Sequence, residues 1–129
     1  MSTMHRRLFA SVLAIALASP SVAQVQRQFP QTALRGLVVF GQPPHVTLNG
    51  EPMQLATGAR IRATNNMIVL SGSLAGSSGV VHYTIDPLGQ IRDMWILRPE
   101  ELANLPWPGT PSEAQAWSFD ATAQRWTRP

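Results

Sequence analysis

The chain has 129 residues, 44% apolar, 13% charged and 7% aromatic, with 11 Pro and no Cys. That length holds one domain, the apolar share is too high for a disordered tail, and the absence of Cys excludes a disulfide scaffold and any thiolate metal site. All ten basic residues are Arg, and the formal net charge is +3.

The N-terminus reads as an export leader. His5, Arg6 and Arg7 form a positive start, Leu8 to Ala18 is an apolar run, Ser19-Pro20 breaks it, and Ser21-Val22-Ala23 offers small residues for cleavage after Ala23. Arg6-Arg7-Leu8-Phe9 partly matches a twin-arginine signal, but His5 stands where Ser or Thr is usual, which favours the general secretory route. The apolar run is too short to span a bilayer core of about 30 Å. The expectation is a periplasmic or secreted protein with no transmembrane segment after cleavage. The processed chain, Gln24 to Pro129, keeps eight Arg against seven acids (10 − 2 = 8 and 8 − 7 = 1), a net charge of +1. Its Arg residues are scattered among acids, so no basic stripe points to nucleic acid.

Residues 24–33 are polar around Phe29-Pro30 and read as an extended, partly disordered lead-in. A single β-rich domain is expected over 34–129. Leu34 to Phe40 is the first strand, ended by Gly41-Gln42-Pro43-Pro44. His45–Leu48 and Glu51–Leu55 flank Asn49-Gly50, whose tolerance of positive φ predicts a type I′ hairpin. Pro52 lacks a ladder donor and places its strand at an edge or bulge.

Ala59 to Ala63 alternates Arg with apolar residues, as a half-exposed strand does. Met67 to Leu70 is a continuous apolar run, read as a central strand, and Gly72 to Gly79 is a flexible connection. Val80–Ile85 and Ile91–Leu97 are the best strands, joined by Asp86-Pro87-Leu88-Gly89 as a type I turn with a G1 bulge. The predicted register pairs Asp86 with Gln90 and sets Tyr83 opposite Asp93.

After Leu97 the composition changes. Pro99-Glu100-Glu101-Leu102 predicts one helical turn. Thr110-Pro111-Ser112-Glu113 predicts a capped helix to about Trp117. Trp117–Phe119 and Arg125–Thr127 read as a last small hairpin or an extended tail. The whole predicts a mainly β fold: a small antiparallel sandwich or barrel of about seven strands, with a Pro/Trp-rich tail (98–129) packed on it and one or two short helices. An α+β sheet with one covering helix is the alternative.

No constellation of residues specifies a reaction. His45 and His82 are too few for a zinc site without two acids. Ala75-Gly76-Ser77-Ser78-Gly79 resembles a nucleophile elbow but runs into a strand rather than a helix. Asp86, Glu100, Glu101 and Glu113 have turn or helix-start explanations. Asp93 interrupts an apolar strand, so Asp93 with His82 or Tyr83 is the one candidate acid or base set, for a small envelope hydrolase. The Trp residues of the tail close the end of a small core or, if exposed, make Trp107, Trp117 and Trp126 candidate binding residues for carbohydrate or proline-rich peptide, because exposed rings offer large apolar area at low entropy cost. No metal or cofactor is expected, and the partner expected is an envelope protein or glycan.

The run Val81-His82-Tyr83-Thr84-Ile85-Asp86-Pro87-Leu88-Gly89-Gln90, continuing through Trp95-Ile96-Leu97-Arg98-Pro99-Glu100-Glu101, resembles small exported proteins of unassigned role in beta-proteobacteria. Leu48-Asn49-Gly50 and Gly58-Ala59-Arg60-Ile61-Arg62 share that resemblance. It implies an exported domain and adds no chemistry. The leading expectation is therefore a non-enzymatic exported β-domain with a binding or structural role in the cell envelope.

Overall fold

The computed structural model describes residues 25–129, so the expected leader at 1–23 lies outside the described residues. Five strands close into a barrel: β1 (Leu34–Phe40), β2 (His45–Leu48), β3 (Glu51–Arg62), β4 (Ser78–Ile85) and β5 (Ile91–Ile96). Their order is β1-β2-β3-β5-β4, with β4 returning to β1. β6 (Ser118–Asp120) and β7 (Arg125–Thr127) form a separate ribbon. Two short helices complete the tail, α1 (Pro99–Leu102) and α2 (Pro111–Ala116).

The expected β class and short helices are present. The sandwich is not, the barrel takes five strands rather than about seven, and its sheet is mixed. β3 is one 12-residue strand, not two short ones. Its first part pairs antiparallel with β2, and the segment from Leu55 onward pairs parallel with β5 on the opposite edge. One long strand serving two edges closes the barrel without a sixth. Relative to β5 it loops out residues between Leu55 and Arg60, where Gly58 takes φ +77°. Pro52 lies ahead of the β5 pairing, where the outer edge of β3 is free, as its missing donor requires.

The Asn49-Gly50 turn forms with φ of 53° and 83° and closes on the pair Leu48↔Glu51. The Asp86–Gly89 turn also forms as predicted. Gly89 donates to the Asp86 carbonyl (3.0 Å), Asp86 N–H donates to Gln90 (2.9 Å), and Gly89 has φ +80°. The register beyond it is not the predicted one. Ile85 pairs with Ile91, but Thr84 pairs with Asp93 and Tyr83 with Met94. The extra residue, Arg92, makes a bulge that shifts every later pair by one.

Met67–Leu70 is not a central strand. After Arg62 the chain reverses through Ala63–Asn66, Asn66 takes φ 68°, and a lone bridge Arg62↔Ile68 marks the return. Met67, Ile68 and Leu70 are 66%, 57% and 78% exposed. The polar lead-in, in contrast, is part of the packed structure. Arg27 and Phe29 are buried, and the buried Gln124 amide accepts from Phe29 N–H (2.9 Å) and donates to its carbonyl (3.2 Å).

Alternation along the strands sorts side chains into two cores. Leu34, Val38, Val46, Ile61, Val81 and Met94 are among those that fill the barrel. Phe29, Ala33, Leu97, Trp107 and Trp126 form a second core, against which Val80 and Trp95 of the barrel wall pack. The tail closes over that wall because the ring faces need cover that a small barrel alone cannot give.

At Gly36 a Cβ would lie 3.0 Å from Asn49 Nδ2 and 3.1 Å from a Tyr83 ring carbon. Asn49 cannot yield, because its Oδ1 accepts from Leu37 N–H (2.9 Å). Gly36→Ala should cost about 1–3 kcal/mol in urea unfolding. An unchanged midpoint would mean that the Asn49 contact does not hold the β1–β2 junction.

Candidate functional site: an arginine-lined groove

The residues singled out from sequence do not assemble into a catalytic site. His82 is 1% exposed and lies in the second core, stacked on Trp107 (ring centroids 4.1 Å) with Phe29 edge-on at 4.4 Å. Its Nε2 accepts from Arg35 Nε–H at 3.1 Å, which puts the ring proton on Nδ1, and that atom has no partner. Burial, first, and then the charges of Arg35 and Arg27 lower its pKa from 6.5 to about 2. A group so held is neutral and a poor general base. Burial also lowers the Arg35 pKa, with the Glu101 charge opposing.

Asp93 is half-buried and accepts from Thr84 Oγ1 at 3.2 Å; it does not face Tyr83. Tyr83 points into the barrel core, where burial raises its hydroxyl pKa and keeps it protonated. Asp93, His82 and Tyr83 thus occupy three environments that no hydrogen bond connects. Among the described residues no three His, Asp or Glu side chains converge on one point.

Of the three candidate binding rings, Trp107 and Trp126 are buried and present no face to a ligand. Trp107 donates its indole N–H to the Ala33 carbonyl (3.0 Å). Trp117 is half-buried beside a groove with Leu34, Ile85 and Ala114, and the Arg128 guanidinium sits 5.3 Å from its ring centre. One ring with a cation over it is not the coplanar pair that sugar stacking needs.

The structure instead builds a polar site from residues the sequence reading passed over. A groove of about 560 Å³ is lined by Arg27, Arg62, Arg98, Asn65, Asn66 and Trp95, with Val25, Gln26 and Gln28 of the lead-in completing it. Arg27 is fixed by four hydrogen bonds to three partners: it donates to the Ala63 carbonyl just after β3 (3.0 Å), to the Ile96 carbonyl of β5 (2.8 Å), and through Nε (2.8 Å) and Nη2 to the Glu101 carboxylate. Arg98 donates to the carbonyls of Thr64 (2.6 Å) and Val25 (3.0 Å). It also caps α1, its backbone N–H donating to Glu101 Oε1 at 2.8 Å. Arg62, at the end of β3, is half-buried.

Glu101 is the only carboxylate bonded to these guanidinium groups among the described residues. Burial would raise its pKa, but the hydrogen bonds from Arg27 and the Arg98 backbone, with both charges, outweigh that and leave it below 4.5. Three cations against one anion leave the groove positive, and no acid lines it. Two of the cations are locked by backbone carbonyls, so their positions cost no side-chain entropy on binding. Arginines, two of them fixed, beside the Asn65, Asn66, Gln26 and Gln28 amides suit a phosphate or carboxylate. A second cavity, of about 330 Å³, shares Gln26, Arg27 and Arg98 with this groove and is lined besides by Phe29, His82, Gln124 and the acids Glu100 and Glu101.

Nothing local in the sequence announces this groove, since its three Arg come from positions 27, 62 and 98. Among the described residues no helix is long and apolar enough to cross a membrane. No protein-family model, no curated protein and no solved structure matches the chain.

Proposed function

We propose that this protein is a non-enzymatic binding domain, exported to the cell envelope, and that it takes an anionic ligand in the groove of Arg27, Arg62 and Arg98. The observation that carries the reading is a cavity lined by three arginines, two of them held in place by backbone carbonyls, with no acid in its lining. The separation of His82, Asp93 and Tyr83 supports binding over hydrolysis. The burial of Trp107 and Trp126 argues against the tail as a sugar or peptide platform.

The spatial run β4-β1-β2-β3 is a Greek key. Five-stranded Greek-key barrels include the OB-folds, which bind oligonucleotides and oligosaccharides through one strand face and two loops. The groove here lies elsewhere, where β3 and β5 end under the lead-in, so the site and not the barrel supports the reading.

Titration with inorganic pyrophosphate, followed by the indole N–H resonance of Trp95, tests it. Saturable shifts at Trp95 and the Arg62 Nε–H are expected, with a neutral disaccharide inert. Arg62→Gln should weaken binding about tenfold or more, the worth of a charge-assisted hydrogen bond. A flat titration of the folded protein overturns the anion site.

A further inference from the structure

The loop that gives the groove its Asn65 and Asn66 carries the largest exposed apolar run of the described chain. Met67, Ile68 and Leu70 stand 66%, 57% and 78% exposed within four consecutive residues. The tip is held in shape: Ala63 N–H donates to the Met67 carbonyl (2.9 Å), Asn66 N–H to Ala63 (2.8 Å), Met67 N–H to Asn65 Oδ1 (3.0 Å) and Val69 N–H to Ile61 (2.9 Å). Ile68 is the cross-strand partner of Arg62, so an exposed apolar side chain and a groove cation are direct neighbours on one face. Pro43 and Pro44 of the β1–β2 turn line a shallow cavity with Ile68 and Leu70 and extend the apolar surface.

A single exposed Leu needs no explanation; three large apolar side chains in an ordered tip mark a contact surface. A hydrogen-bonded apolar tip beside the Arg62 cation matches one partner by both shape and charge. We infer that the Met67–Leu70 tip inserts into the headgroup layer of an anionic lipid membrane while the adjoining groove takes a lipid phosphate. This rests on the anion-site reading and names its ligand. The phosphate lies at the depth where an arginine beside an inserted Ile sits, and the lipid chains cover what water now touches. The attraction is electrostatic in its approach and apolar in its hold, so salt opposes it and the tip side chains retain it.

Flotation with vesicles tests the inference, using protein whose processed N-terminus is verified by mass spectrometry. The probes are vesicles of phosphatidylcholine alone, vesicles of phosphatidylcholine and phosphatidylglycerol in equal parts, and free pyrophosphate. Binding to the phosphatidylglycerol vesicles only, weakened by salt, is expected. Arg62→Gln should weaken that partition about fivefold. The triple variant Met67→Ser, Ile68→Ser, Leu70→Ser should weaken it at least about tenfold while pyrophosphate binding stays unchanged.

Pyrophosphate binding without vesicle binding overturns the lipid inference and leaves the anion site standing. Loss of both overturns both. Equal binding to neutral vesicles, or binding that survives the triple variant, overturns the insertion. Self-association that the triple variant abolishes, without vesicle binding, makes a second copy of the chain the occupant and overturns it as well.

Discussion

Trp107→Ala should lower the unfolding free energy by about 3–5 kcal/mol, the range for emptying a buried aromatic site. The ring joins four segments of the second core: it stacks on His82 of β4, meets Phe29 of the lead-in at 5.9 Å, and meets Phe119 of β6 and Trp126 of β7 at 5.8 and 6.1 Å. Its loss also strands the buried Ala33 carbonyl, which accepts its N–H. The barrel core does not contain Trp107. The variant is therefore expected to release the tail and lead-in ahead of the barrel, seen as two transitions in urea where the parent shows one. A small, single-step change would show that the tail contributes little to the packed structure.

Acid should destabilise the protein well before ordinary carboxylates titrate. His82 has its folded pKa lowered to about 2 against 6.5 in the unfolded chain. Below pH 6.5 the unfolded chain takes a proton that the folded state refuses, so stability is complete above that value and falls as pH decreases. Each pH unit costs about 1.4 kcal/mol, which comes to about 3 kcal/mol by pH 4.5. The cause is first burial, then the charges of Arg35 and Arg27. A proton on Nε2 would face the Arg35 N–H that now donates to it, inside a ring of aromatic side chains.

Glu101 acts at lower pH. Its folded pKa is depressed, so its contribution is present above its unfolded value of 4.5 and is lost as pH falls through the folded one. Urea midpoints across this span should decline in the parent, and His82→Gln should flatten the decline between pH 6.5 and 4.5. A parent whose midpoint holds constant over that interval would refute the neutral, buried imidazole.

Both predictions turn on residues whose surroundings the sequence left open. The Asn49-Gly50 and Asp86–Gly89 turns, the Thr110 cap and the β6–β7 ribbon are all legible, because each depends on a few neighbouring residues whose own φ preferences decide the backbone. The Thr110 hydroxyl does accept from Glu113 N–H, at 3.2 Å. The Tyr83–Asp93 pairing fails for a physical reason: a single bulged residue, Arg92, exchanges every cross-strand partner beyond it, and local preference does not fix whether a strand bulges. The Met67–Leu70 run misleads because burial is the usual fate of consecutive apolar residues, and only the tertiary structure shows that the barrel closes without them.

The sequence alone determined the β class, the hairpin turns, the short helices and the want of a local catalytic motif, since all of these follow from short-range stereochemistry and residue type. Tertiary structure decided the five-strand closure, the burial of His82, Trp107 and Trp126, and the meeting of Arg27, Arg62 and Arg98. Charges 35 and 36 positions apart (62 − 27 and 98 − 62) come together only because β3, β5 and the lead-in end at one rim. Backbone carbonyls there hold two of the guanidinium groups in place, an interaction that any residue type can supply and that no side-chain pattern records.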